Sequence, residues 1–273
     1  MRYCLLASGS NGNACFVEAG GTKLMVDLGI GPRVLKWRLE PLGVAPADLT
    51  DVLVTHEHVD HVRGLEGLCK RQPALVIHAT RSTARRLPEV TRPHVRTLRA
   101  GQAFDVGAFT VTPFLTSHDV DRSVGFRLEA LGVVLGYATD LGTFGQRVVE
   151  GLTGAQALVV ESNHCPQRLA TGPYPVDLKR RVAGNRGHLS NDQCRSLLER
   201  VVHPGLRYVT LAHLSAENNT PALALAAMEP LRVAQPQISW AVGSRSESLP
   251  PVTLDGGDEA TAPMASGQIP LPI

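Results

Sequence analysis

Six residues that follow a short apolar run constrain this chain more than any other feature. Asp51-Val52-Leu53-Val54-Thr55 reads as a buried β-strand and runs directly into His56-Glu57-His58-Val59-Asp60-His61. A loop or first helical turn there splays alternating side chains toward one point. His56, His58 and His61 then supply imidazoles and Asp60 a carboxylate, a ligand set suited to Zn²⁺, Mn²⁺ or Fe²⁺. A merely solvated polar loop accounts poorly for three histidines in six residues. An interior strand must therefore end at an edge where more ligands can gather.

Candidates for those further ligands recur at strand ends. Thr116-Ser117-His118, Tyr137-Ala138-Thr139-Asp140 and Leu211-Ala212-His213 each follow an apolar or β-like segment. Alone, His118, His213 or Asp140 reads as an ordinary capped or turn residue; joined to the first cluster, they place ligands along one sheet edge. Strands are expected at Tyr3 to Ala7, Cys15 to Ala19, Lys23 to Asp27, Leu75 to Ile77, Phe104 to Pro113, Ser123 to Ala138, Ala157 to Glu161 and Tyr208 to Leu211. Pro32 suits the first turn of a helix, Ser190 with Gln193 forms a capping box, and Thr220-Pro221 reads as N-cap and first helical position.

Strands early in each half with interspersed helices point to an α/β domain. With 273 residues, 43% apolar and 19% charged, the chain has material for one large core. Residues 1–242 are expected to form it; 243–273, rich in Pro, Gly and Ser and without periodicity, read as a poorly packed tail. The formal charge of +2 argues against bulk electrostatic coating of nucleic acid, so an anionic ligand must meet local patches. Five widely spaced cysteines without a C-x-x-C fit reduced thiols in a cytoplasmic protein. The N-terminal apolar stretch meets Ser8-Gly9-Ser10-Asn11 too early for a signal sequence, and no run approaches a membrane span.

The order H-x-H-x-D-H, then isolated His, Asp and His, resembles the metallo-β-lactamase superfamily. Ser8-Gly9-Ser10-Asn11-Gly12-Asn13, Thr139-Asp140-Leu141-Gly142, Glu161-Ser162-Asn163-His164, Gly172-Pro173-Tyr174-Pro175, Arg186-Gly187-His188-Leu189-Ser190-Asn191 and the run His213 to Pro221 are similar to its bacterial YycJ/WalJ-type branch, over roughly residues 3 to 230. The resemblance implies a four-layer αββα sandwich with two divalent ions, Mn²⁺ or Zn²⁺, at one edge. It implies one ion on His56, His58 and His118, the other on Asp60, His61 and His213, with Asp140 bridging. Asp27 would accept a hydrogen bond that orients a ligand. Val59 fills a slot often held by a small polar residue, and no cysteine replaces a ligand, which weighs against antibiotic hydrolysis.

The resemblance further implies 5′→3′ exonucleolytic degradation of DNA, with DNA-repair proteins as partners. Two cations about 3.5–4 Å apart activate water for in-line attack on phosphorus, and the leaving oxygen needs a proton. His188 is the favoured acid and His164 the next, with Asp60 also at the reacting centre. Ser10, Asn11 and Asn13 can cradle a phosphate in a Gly-interrupted turn. Lys179, Arg180, Arg181 and Arg186, with Ser190 close by, form the densest basic stretch and a candidate backbone track, as do Arg81, Arg85 and Arg86. The competing readings are a small-molecule hydrolase (cyclic phosphodiesterase, lactonase or thioesterase), a ribonuclease, and a non-catalytic scaffold.

Overall fold

The computed structural model describes residues 1–256. Its first strands, β1 (Arg2–Ala7), β2 (Ala14–Ala19) and β3 (Thr22–Val26), pair antiparallel. Within β1, Tyr3 and Leu5 face one side while Cys4 and Leu6 face the other, and all four are buried. A strand apolar on both faces can only be an inner layer, covered on each side. β4 (Asp51–Leu53), β5 (Val76–Thr80) and β6 (Val95–Leu98) then add in parallel beside β3. The intervening crossovers carry α1 (Pro32–Leu39), α2 (Val59–Val62), α3 (Leu65–Cys69) and α4 (Arg81–Ala84).

A second sheet opens with an antiparallel meander of β7 (Phe104–Val106), β8 (Phe109–Leu115), β9 (Val124–Ala130) and β10 (Val133–Ala138). β11 (Ala157–Glu161), β12 (Tyr208–Ala212) and β13 (Ser239–Val242) continue it in parallel. Its helices are α5 (Gln146–Leu152), α6 (Pro166–Thr171), α7 (Val176–Ala183), α8 (Asn191–Val201), α9 (Pro221–Ala227) and α10 (Glu229–Ala234). A last short strand, β14 (Val252–Thr253), returns to pair with β1. The sheets are therefore seven-stranded each, ordered β14-β1-β2-β3-β4-β5-β6 and β13-β12-β11-β10-β9-β8-β7.

Three apolar layers hold this together. Tyr3, Val17, Leu24, Phe109, Phe126 and Tyr137 fill the space between the sheets. Phe16, Met25 and Leu6 meet Leu35, Leu39 and Leu65 of the helices outside the first sheet. Leu158, Val160 and Leu211 meet Leu152, Leu197 and Leu198 outside the second. The result is the expected αββα sandwich. The capping box forms as read: Ser190 Oγ accepts from Gln193 N, and Gln193 Oε1 accepts from Ser190 N. The buried cysteines Cys4, Cys15, Cys69 and Cys194 are unbridged, as is the half-buried Cys165. No helix among the described residues is long and apolar enough to cross a membrane.

The domain does not stop at residue 242. Ser8 N donates to Ser244 O, Leu249 N to Leu5 O and Leu254 N to Met1 O, and Leu254 is buried. These contacts use backbone groups and single side chains, which leave no periodic trace in a Pro/Ser-rich sequence. Residues 257–273 of the expected tail lie outside the described residues.

Candidate metal centre

Parallel strands lift their following loops to one edge of the sandwich, and the loops after β3, β4, β10, β11 and β12, with the loop after β8 that bears His118, bring the candidate residues there. Asp27, Asp140 and His213 each follow a strand and each adopts a left-handed backbone, with φ of 58°, 59° and 55°. Non-glycine residues pay for that conformation and keep it where the surroundings require it. The fourth loop, His56 to His61, is fixed by a close approach. A Cβ on Gly29 would lie 1.6 Å from Asp60 O, so only glycine lets β3's outgoing chain pass this loop. Asn13 N also donates to Asp60 O, at 2.7 Å.

The expected ligands do converge. Donor atoms of His56, His58 and His118 lie within 4.8 Å of one another, as do those of His56, His61 and Asp140. His58 Nδ1 and His118 Nε2 are 3.3 Å apart. On the other side, His61 Nε2 is 3.5 Å from Asp60 Oδ2 and 3.2 Å from Asp140 Oδ2, and His213 Nδ1 is 2.9 Å from Asp140 Oδ2. Asp140 thus stands between the two groups, with Oδ1 3.7 Å from His118 Nε2. Asp27 Oδ2 accepts from His61 Nδ1 at 2.7 Å and Oδ1 accepts from Thr55 N at 2.9 Å, which orients the His61 ring with Nε2 inward.

These donors fit a cation. Nε2 of His56 is buried and has no hydrogen-bond partner, an arrangement that costs free energy unless something else satisfies the lone pair. Burial holds His56 and His118 below the ordinary histidine pKa, so both rings are neutral and ligand-competent. Burial also raises the Asp27 carboxyl, while Asp27 and Asp140 outweigh burial to raise His61. Asp140 is held well below the carboxylate range, since His213 and His61 overcome its burial.

The proposed acids part company. His188 Nδ1 is 2.7 Å from Glu161 Oε1, and its ring is 5.2 Å from both His118 and His213. Burial opposes its charge, yet Glu161 more than compensates and lifts its pKa to about 9. His188 lines a cavity of about 190 Å³ with His58, Asp60, His118, Asp140 and His213. His164 does not line it; burial lowers its pKa to about 4, leaving a neutral ring unsuited to donating a proton.

The predicted substrate contacts divide likewise. Ser10 and Arg181 line the cavity. Asn13 instead braces the ligands, donating to Asp60 Oδ2 and contacting His61 Nε2. Asn11 offers its carbonyl to Arg63. Ser190 caps α8, and Arg180 pairs with Asp177. Arg186 donates to His118 O and Val120 O, and Lys179 to Ala170 O, so both serve the fold. Arg86 is tied to Glu57, whose other oxygen accepts from Thr83; Glu57 thereby anchors the ligand loop to α4. Asn219 bridges Ser162 O, Asn163 O and Asn191, and Asn163 donates to His213 O.

Two carboxylates without a role expected from the sequence also reach the site. Asp119 Oδ1 lies 3.3 Å from both His58 Nε2 and His118 Nε2, while Oδ2 takes Arg181. Glu161 accepts from Leu141 N and Leu189 N besides holding His188. Their signals were adjacency to His118 for the first and an acid closing an apolar strand for the second.

Comparison with known proteins places this geometry in context. A model of the β-lactamase superfamily domain matches residues 22–213. The chain is 30% identical over 228 residues to the exodeoxyribonuclease YycJ of Bacillus anthracis, covering 82% of this chain and 86% of that protein. It is 30% identical over 229 residues to the exodeoxyribonuclease WalJ of Streptococcus pneumoniae, covering 82% and 85%. Among solved structures, the metallo-β-lactamase fold protein YhfI of Bacillus subtilis superposes with a TM-score of 0.67 at 16% identity, over 91% of this chain and 99% of that one.

Proposed function

The chain belongs to the metallo-β-lactamase superfamily, in its YycJ/WalJ-type branch, and from that premise we propose that it is a metal-dependent nuclease that hydrolyses DNA as a 5′→3′ exonuclease in DNA repair. The observation that carries the reading is the unpartnered, buried Nε2 of His56 among converging imidazoles and carboxylates. His56, His58 and His118 would hold one divalent ion, Zn²⁺ or Mn²⁺; Asp60, His61 and His213 would hold the other, with Asp140 between. Bound there, the pair supplies charge neutralisation for a phosphodiester and a lowered pKa for attacking water.

The chain's own groups do the rest. Asp27 and Thr55 fix the His61 ring, and Asn13 fixes Asp60, so the ligands meet substrate already oriented. Glu161 keeps Nδ1 of His188 protonated and its ring turned into the cavity. His188 is then the proton donor to the leaving 3′-oxygen, and the exposed hydroxyl of Ser10 lies on the cavity wall to meet a phosphate oxygen.

The test is a metal-by-substrate matrix with 5′- and 3′-labelled single- and double-stranded DNA and RNA. Nucleotide release from DNA 5′ ends in Mn²⁺ or Zn²⁺, abolished by His56→Ala and by Asp140→Ala in protein that still melts cooperatively, is the expected result. Turnover of bis(p-nitrophenyl) phosphate without release from any labelled strand would instead indicate a small-molecule hydrolase. Wild-type turnover in both variants would overturn the ligand assignment.

A further inference from the structure

In the basic stretch that the sequence offers as a backbone track, Lys179 and Arg186 bind carbonyls, while Arg180 and Arg181 pair with carboxylates at the surface. Free cations stand on another rim. In α1, Leu35, Arg38 and Leu39 face inward, while Arg33, Lys36 and Trp37 face solvent. Neither Arg33 nor Lys36 has a carboxylate partner among the described residues, and the exposed Arg63 donates only to Asn11 O. Trp37, one of two tryptophans in the chain, is 63% exposed. An indole carries the largest apolar surface of any side chain and normally buries most of it.

Both ends of α1 are tied to loops that carry the site. At its start, Gly29 donates to Asn13 O and packs on Asp60 O. Near its end, Arg38 donates to Leu6 O, Arg245 O and Ser246 O, and Arg245 in turn donates to Leu214 O, beside His213. Three residues at no more than about 3.6 Å each and five at about 1.5 Å bring Trp37 Cα within about 18 Å of Gly29 Cα. That is the reach of a few nucleotides.

We propose that the outward face of α1 is a stacking platform for a single-stranded stretch of the nucleic-acid substrate. One base lies on the Trp37 indole, and flanking phosphates meet Arg33, Lys36 and Arg63. Stacking on an exposed aromatic between cations is how single strands are held without sequence preference. The proposal rests on the nuclease reading above and says where the strand runs beyond the reacting phosphate.

The probes are phosphorothioate-linked dT12 and dT2, titrated into the Mn²⁺-loaded chain and followed by fluorescence anisotropy and tryptophan emission. Trp37→Ala is expected to weaken dT12 binding about five- to 150-fold, the range of one base–aromatic stack, while Trp37→Phe retains most of it. A dT2 held by its one phosphate at the reacting centre has no further strand to lay on α1, so its affinity is expected to be the same in wild type and Trp37→Ala. Replacing Arg33 and Lys36 together is expected to flatten the salt dependence by roughly 0.7 in log–log slope per lost phosphate contact. Equal dT12 affinity in wild type and Trp37→Ala, with DNA still degraded, overturns the platform and leaves the nuclease reading intact. A wild-type chain that degrades no nucleic acid overturns the nuclease reading itself.

Discussion

Asp27 shows how a single buried carboxylate can govern a site it does not enter. It is fully buried at a left-handed backbone position, and every hydrogen bond of its carboxylate runs to Thr55 or His61. Asp27→Asn preserves the shape but removes the charge that makes His61 a stronger donor through Nε2. Loss of such a partner costs about 10–100-fold in metal affinity. Competition of the purified variant with a chromophoric chelator is expected to show that loss for one of two ions; wild-type affinity for both would dismiss the role. The left-handed residues were only half legible in sequence. Their position after an apolar strand was visible, but the need for positive φ arises from how the neighbouring loops pass, as Gly29 passes Asp60 O.

At the scale of elements, β11 delivers more than the sequence suggested. Its last residue, Glu161, binds His188 through one oxygen and the amides of Leu141 and Leu189 through the other. One carboxylate therefore fixes the loop after Asp140 and the loop bearing the proposed acid. Glu161→Gln keeps similar packing yet surrenders the charge that holds His188 protonated. The expected consequence is a fall in kcat of about 10²-fold, the lower end for a positioned proton donor, with KM moving little. A fall in kcat accompanied by a marked rise in KM would point to a collapsed site instead. Short apolar runs bounded by turn residues made β1 to β5 and β7 to β12 readable, and the capping box made the start of α8 readable. The basic run of α7 reads as a track because a partner such as Asp119, 62 residues from Arg181, leaves no local trace, and paired charge looks identical in sequence to charge that is free.

At the scale of the whole molecule, the sandwich is closed by a segment whose composition concealed it. Residues 243–254 cross from the second sheet to the first, laying β14 along β1 and placing Leu254 under the inter-sheet core. On the way, the carbonyls of Arg245 and Ser246 accept from Arg38, and Arg245 reaches Leu214 O beside a proposed ligand. Neither interaction has any signature in local sequence, since each joins positions some 30 or 200 residues apart. Ending the chain at residue 242 removes several backbone hydrogen bonds worth about 1 kcal/mol each and the burial of Leu254, worth about 2 kcal/mol. The truncated chain is therefore expected to lose about 5 kcal/mol and to melt roughly 10–20 °C lower. Ending it at residue 256 retains every one of these contacts and is expected to melt above the chain ended at 242 by that margin. Equal melting of the two truncated chains, followed by circular dichroism, would mean that the crossing segment contributes nothing to closure. Because Arg245 of that segment donates to Leu214 O beside His213, the shorter chain is also expected to bind Mn²⁺ more weakly than the longer one.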